Sequence, residues 1–203
     1  IQMIREDQRA FPFAPPSGPA FDVSQVVDMS SYCRDCGLLD DREACAERLL
    51  EKLRADGFCL IRGTGMDQAV CQRALIATNS FLQQADERVR RACLAPDRAR
   101  RGYSPLNVEN FASLVGEHAP NDLVRKFRMG PDDGTNSLRQ PNMWPSTELW
   151  REAEDFRDAV ETYYTAACVA AQLVVRAICD GLLLQDPELA SKLKPFHSTS
   201  GSS

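Results

Sequence analysis

The chain reads as a helix-rich α+β fold, with a few short strands leading to one long backbone helix. Three observations carry that reading. Phe156, Val160, Tyr163, Ala167, Ala171, Val174, Ile178 and Leu182 keep a helical period through one long stretch. Earlier in the chain, Ala46, Leu49, Leu50 and Leu53 repeat at i, i+3, i+4 and i+7, the spacing of a single helix face. Between such stretches lie short apolar runs of strand length, such as Phe58 to Ile61.

The elements follow in order. Residues 1–22, rich in proline, arginine and phenylalanine, read as an arm lying over a body that spans 23–203. Val26-Val27-Asp28-Met29 is a strand candidate with a β-branched pair. Asp40 or Asp41 can cap a helix to about Asp56, because a short carboxylate accepts from the first free amides. Gly57 is placed to end that helix in the left-handed conformation. The Phe58–Ile61 strand turns out through Gly63-Thr64-Gly65.

A second helix is expected over about Asp67 to Gln84, and a third over about Asp86 to Leu94, closed by Pro96. Residues 100–104 and about 123–129 look like short strands joined by a long loop, and Gly130 to Pro145 is turn-rich. The long helix is expected directly after Pro145, capped by Ser146 or Thr147. Unbroken, it covers about 38 residues, or roughly 57 Å at 1.5 Å per residue. Asp186-Pro187 then opens a short helical turn, a cap followed by proline.

Composition excludes several classes. Of 203 residues, 43% are hydrophobic and 26% charged, which suits a soluble globular protein. A net charge of -5 disfavours binding to polyanions, and the basic run from Arg88 to Arg101 has only Tyr103 as a nearby ring, so no nucleic-acid partner is expected. Residues 1–10 lack an apolar signal core. The apolar stretch from Ala166 to Leu184 carries Gln172, Arg176 and Asp180 on one stripe, so it is expected to be an amphipathic helix and not a membrane span. A cytoplasmic setting follows, and most of the eight cysteines should be reduced and buried. Cys33 and Cys36 have ligand-like spacing but no second pair, so they are expected to be two free thiols in a loop. His118, in a polar loop, and His197, near the end of the chain, have no visible metal partners.

Four motifs, in order, resemble the isopenicillin N synthase-like branch of the iron(II)/2-oxoglutarate dioxygenases. Val27-Asp28-Met29-Ser30 is similar to that family's opening I-D-L-S strand. Leu53 to Met66 is similar to its helix-to-strand signature, with Arg62-Gly63 where Asn-His is usual. Arg100-Arg101-Gly102-Tyr103-Ser104 resembles R-x-G-Y, and Asn142-Met143-Trp144-Pro145 matches N-x-W-P.

The resemblance implies that the long helix leads into a double-stranded β-helix (jelly-roll) that is mostly absent from this chain. That later half would carry H-x-D, a distal histidine and the arginine that holds 2-oxoglutarate. An iron(II) site of this kind needs two histidines and a carboxylate on one face of the metal. The chain has two histidines in all and no H-x-D or H-x-E pair, so no catalytic or metal-ligating residue is expected in it. Iron(II) and 2-oxoglutarate are implied for the complete enzyme, with none expected on this chain, which alone should be inactive.

By resemblance, Arg100 is placed to grip a substrate carboxylate with its planar bidentate fork, and Tyr103, Ser104 and Arg128 complete the expected substrate site. Burial as a packing ring is the competing reading for Tyr103, and for Trp144. Arg125 and Lys126 could add charge to the pocket mouth if the two strands pair, although a solvated, aggregation-resistant edge is the simpler reading of that run.

The expected function is thus the N-terminal portion of an oxygenase acting on a small molecule, forming one wall of its pocket. The alternative is a non-catalytic binding or assembly module, self-associating through the surface left by the missing half. A weaker third reading is a small carboxylate-binding protein using Arg100.

Overall fold

The computed structural model describes residues 26–33, 39–95, 101–131 and 141–189. The N-terminal arm, Cys36, Arg100 and His197 lie outside them. The chain forms two compact units, and the division falls inside its longest helix. One contains Ala69–Thr162; the other contains the described parts of Pro15–Gln68 and Tyr163–Ser203.

In the second unit, strand β1 (Val26–Asp28) pairs in parallel with β2 (Leu60–Arg62), Val27 standing opposite Ile61. The short turn α1 (Ser30–Cys33) and helix α2 (Leu39–Asp56) connect them. Gly57, at φ 76°, ends α2 by donating to the Leu53 carbonyl at 3.0 Å, the left-handed cap that its position suggests. The predicted periodicity is met, for Ala46, Leu49 and Leu50 are buried. Leu49 and Cys45 pack with Val27, Met29 and Tyr32, and with the later turns of α5 (Ala153–Gln185) through Ala177. Gly181 lies so close to α2 that an added Cβ would stand 2.8 Å from Leu50 Cδ1 and 3.0 Å from the Ala46 carbonyl.

Asp28 ties this unit's joints. It accepts from the Ser30 amide at 3.0 Å, the Ser30 hydroxyl at 2.6 Å and Arg62 Nε at 2.9 Å. Those bonds, the Ser30 hydroxyl foremost, hold its carboxyl below the usual carboxylate range. The motif departure at Arg62 therefore has a local use: the arginine answers Asp28. Gly63 (φ 69°) follows, where a Cβ would collide with the side chains of Ser30 and Asp28.

In the first unit, α3 (Gln68–Asn79) runs into a wider π-helical turn at Ser80–Gln84, which sequence periodicity alone does not signal. The Leu82 carbonyl in that turn accepts from Arg125 Nη1 at 2.9 Å and from Arg90 Nη1 at 3.4 Å. Helix α4 (Glu87–Ala92) is capped by Asp86, whose carboxylate accepts from the Arg88 amide at 2.7 Å. Strands β3 (Gly102–Ser104) and β4 (Lys126–Arg128) then pair antiparallel.

The core of this unit is aromatic. Phe81 is fully buried and stacks on Phe156 at 4.7 Å, with Phe127, Trp150 and Tyr103 edge-on or tilted around it. This explains why α5 begins at Ala153 and not straight after Pro145. Trp150 donates its amide to the Ser146 carbonyl at 3.0 Å, and its ring turns in against Phe81 and Phe156, so residues 147–152 form turns.

Two motif joints also meet here. Asn142 clasps Gly130 in both directions, accepting from its amide at 3.0 Å and donating to its carbonyl at 2.9 Å. Gly102 sits where a Cβ would strike the Cys93 carbonyl and come within 3.0 Å of Met143 Cβ. Trp144 packs on Phe127 and Phe156.

Helix α5 is long and apolar enough to cross a membrane by length and composition. Its Ala170, Ala177 and Cys179 are buried, whereas Tyr163, Val169, Val175 and Leu184 are exposed. The expected polar stripe is present: Gln172 and Arg176 are exposed, and Asp180 accepts from the Tyr32 hydroxyl at 3.0 Å. Burial, with the Asp180 charge beside it, pushes the Tyr32 hydroxyl well above its ordinary range.

Candidate functional site

The pairing of β3 with β4 sorts its side chains by alternation, because successive residues on a strand face opposite ways. Tyr103 and Phe127 are register partners and face the aromatic core. Ser104 stands opposite Lys126, and Gly102 opposite Arg128, so Ser104, Lys126 and Arg128 share the other face. That face meets one carboxylate. Glu109 accepts from the Lys126 ammonium, from Arg128 Nη2 at 2.7 Å and from the Ser104 hydroxyl at 3.2 Å. The Lys126 and Glu109 side chains are 12% and 16% exposed, so this is no solvated edge of free charges. The Lys126 hydrogen bond, backed by that of Arg128, holds the Glu109 carboxyl below the usual range despite partial burial.

Glu109 arrives on the segment joining the strands. Its backbone is folded on itself: Asn107 donates to the Asp122 carbonyl at 3.2 Å, and Asp122 donates to the Glu109 carbonyl at 2.8 Å. Asn121 Nδ2 adds a bond to the Asn107 carbonyl at 2.8 Å, and Asn110 Nδ2 reaches the Ala119 carbonyl at 2.9 Å. A short 3₁₀ turn, Ala112–Val115, lies inside. This is an Ω-loop, closed at its neck and held by its own side chains. Phe111 lies beneath Lys126, whose ammonium is 4.7 Å from the ring centroid.

The structure thus brings together Ser104, Lys126 and Arg128 from the expected substrate face. It places Tyr103 on the opposite side, 3% exposed, as a packing ring, so the candidate site is drawn without it. Arg125 leaves the site for the Leu82 carbonyl, and Arg100 lies outside the described residues. Sequence reasoning missed Glu109; an acidic residue in an asparagine-rich loop between two basic strands was the only available signal. His118 is exposed in the same loop, and among the described residues no group of three or more His, Cys, Asp or Glu could hold a metal ion.

Residues 25–147 match the family described as non-haem dioxygenase in morphine synthesis, N-terminal. The chain belongs to that family. Two curated relatives show what the chain is similar to. A homoarginine-6-hydroxylase of Arabidopsis thaliana is 22% identical over 182 residues, covering 83% of this chain and 49% of the relative. The 2-oxoglutarate-dependent dioxygenase frbJ, from a Dothideomycetidae species, is 28% identical over 140 residues, covering 68% of this chain and 37% of its own length. The chain spans about half, or less, of the length of the curated relatives it matches.

Solved structures agree on the fold. A 2OG-Fe(II) oxygenase family protein from Caulobacter crescentus superposes with a TM-score of 0.59 at 20% identity, over 77% of this chain and 48% of that one. A full-length Neurospora crassa protein solved in complex with alpha-KG gives 0.60 at 19% identity, over 77% and 46%. The resemblance read from four motifs is therefore a family membership, and the helix-rich fold with few strands is shared with just under half of each of these solved chains.

Proposed function

We propose that this chain is the N-terminal portion of an iron(II)- and 2-oxoglutarate-dependent oxygenase that oxidises a small molecule. In this reading the polar face of β3 and β4 forms one wall of the substrate pocket. The observation that carries it is the convergence of Ser104, Lys126 and Arg128 on one face, inside the segment that matches the dioxygenase family.

The described residues do not fit an iron site, since they offer no converging ligand set. The relatives' additional length is where the jelly-roll and its iron(II) would lie, and bound there the metal and 2-oxoglutarate would supply the oxidising chemistry. What this chain supplies is positioning. The aromatic core fixes the strands from behind, and Ser104 and Arg128 face the substrate with a hydroxyl and a guanidinium. By the family resemblance, Arg100 would add a third cation beside Lys126 and Arg128.

On the same reading the exposed apolar residues of α5 (Tyr163, Val169, Val175 and Leu184) pack against the rest of the enzyme and not against lipid. The setting is cytoplasmic, and no nucleic acid is bound. Those exposed apolar residues also favour a second reading, a metal-free assembly module that self-associates through some of them.

Succinate release from 2-oxoglutarate separates the two. The polypeptide extended to its relatives' length, supplied with iron(II), is expected to release succinate, and the 203-residue chain alone is not. A stable dimer of this chain, with no turnover in the extended form, would leave the module standing instead.

A further inference from the structure

Three donors on one face of the β3–β4 pair converge on a single carboxylate, and that carboxylate belongs to the chain itself. We infer that Ser104, Lys126 and Arg128 form a carboxylate seat, that Glu109 is its internal occupant, and that a substrate carboxylate enters by taking the place of Glu109. The inference rests on the reading of this face as a pocket wall, and it names the substrate class: a small monocarboxylate whose body is apolar or aromatic.

Four features support it. The seat has the right chemistry, since a hydroxyl, an ammonium and a guanidinium are the donors a carboxylate takes. Two cations against one anion leave an excess positive charge that attracts a second anion. Exchange of one carboxylate for another leaves neither cation unpaired, so the large cost of a buried lone charge is avoided.

The mechanics also fit. The Ω-loop carries its own backbone and asparagine bonds, so it can leave the strands without unravelling. Among the described residues, the hydrogen bonds from its side chains to the strands all end on the Glu109 carboxylate. The strands cannot yield instead, because Tyr103 and Phe127 anchor them in the aromatic core. Phe111, beside Lys126 and still half exposed, offers a ring to the body of the incoming acid.

A tethered carboxylate competes at an effective concentration of roughly millimolar order, so its removal should strengthen the binding of an external one. Benzoate is a suitable probe, and benzamide is its uncharged counterpart. Calorimetric titration of the chain and of Glu109→Gln should show benzoate binding tightened at least tenfold in the variant, with benzamide unaffected. Adding Arg128→Ala and Lys126→Ala to Glu109→Gln should abolish the gain. In the unsubstituted chain, benzoate should speed amide exchange across residues 106–122 as the loop lets go.

Unchanged benzoate affinity in Glu109→Gln, a gain that survives loss of both cations, or slower loop exchange would each overturn the seat. These readouts need no turnover. Intact exchange without succinate release from the extended polypeptide removes the oxygenase reading alone, and turnover with unchanged benzoate affinity removes the seat alone.

Discussion

The Asp28 carboxylate accepts from Arg62 Nε at 2.9 Å, so the end of β1 is bonded to the end of its parallel neighbour β2. The same carboxylate takes two bonds from Ser30, and these are the main reasons its carboxyl titrates below the usual range. Asp28→Ala should therefore cost about 1–2 kcal/mol of stability, more than Arg62→Ala, because an exposed ion pair alone is worth little. A carboxyl held low in the fold contributes stability above its unfolded range, and loses it as pH falls through the folded value. Urea titrations between pH 6 and pH 2.5 should show that acid-side decline reduced in Asp28→Asn. An equal decline in the variant would assign it to other carboxylates.

Phe81 meets four rings of its unit's core: Tyr103, Phe127, Trp150 and Phe156. Phe81→Ala should cost about 3–5 kcal/mol, the usual loss for a large buried aromatic, and should blunt the near-ultraviolet signal of Trp150. A loss below about 1 kcal/mol would mean that the ring cluster is not packed as described.

Helix propensity says that alanine at Gly181 should help by about 1 kcal/mol. Packing says otherwise, since the new methyl would meet both Leu50 and the Ala46 carbonyl. Gly181→Ala is expected to destabilise by about 1–3 kcal/mol, as overpacked cores do. Pairing it with Leu50→Ala should recover only the part due to the side chain. Thermal unfolding of the single and double variants measures the coupling.

Thiol labelling should sort the cysteines by burial. Cys93 is fully buried and its thiol is pushed up to about 11, so little reactive thiolate forms at pH 8. Cys33 is exposed. Iodoacetamide mapped by mass spectrometry should modify Cys33 well before Cys93, and the difference should vanish in denaturant. Equal rates in the folded chain would contradict the burial of Cys93.

Much of this fold was legible in the sequence where local chemistry decides it. The apolar face of α2 and the Gly57 stop are both short-range signals. What escaped depends on distant partners. The late start of α5 follows from Trp150 choosing Phe81 as its neighbour, nearly seventy residues away. The basic run around Arg125 resolves only when strand pairing sends Lys126 and Arg128 to one carboxylate and Arg125 to another acceptor. Glu109 escaped for the same reason, since no periodicity or cap marks a loop acid that answers two strand cations.

The π-helical turn at Ser80–Gln84 has a consequence for the length of the chain itself. Each residue taken from a helix swings everything beyond it by about 100°. Ser-Phe-Leu-Gln-Gln looks like ordinary helix, yet removing one of its residues would close the widened turn and swing the Leu82 carbonyl off its two guanidiniums. Asp86 and the whole of α4 would then leave the wrong side of the stalk. A point replacement of Gln83 or Gln84, both exposed, should pass unnoticed, whereas a one-residue gap in this stretch should be lethal to the fold. Five unremarkable letters thus act as a spacer whose count matters more than its spelling.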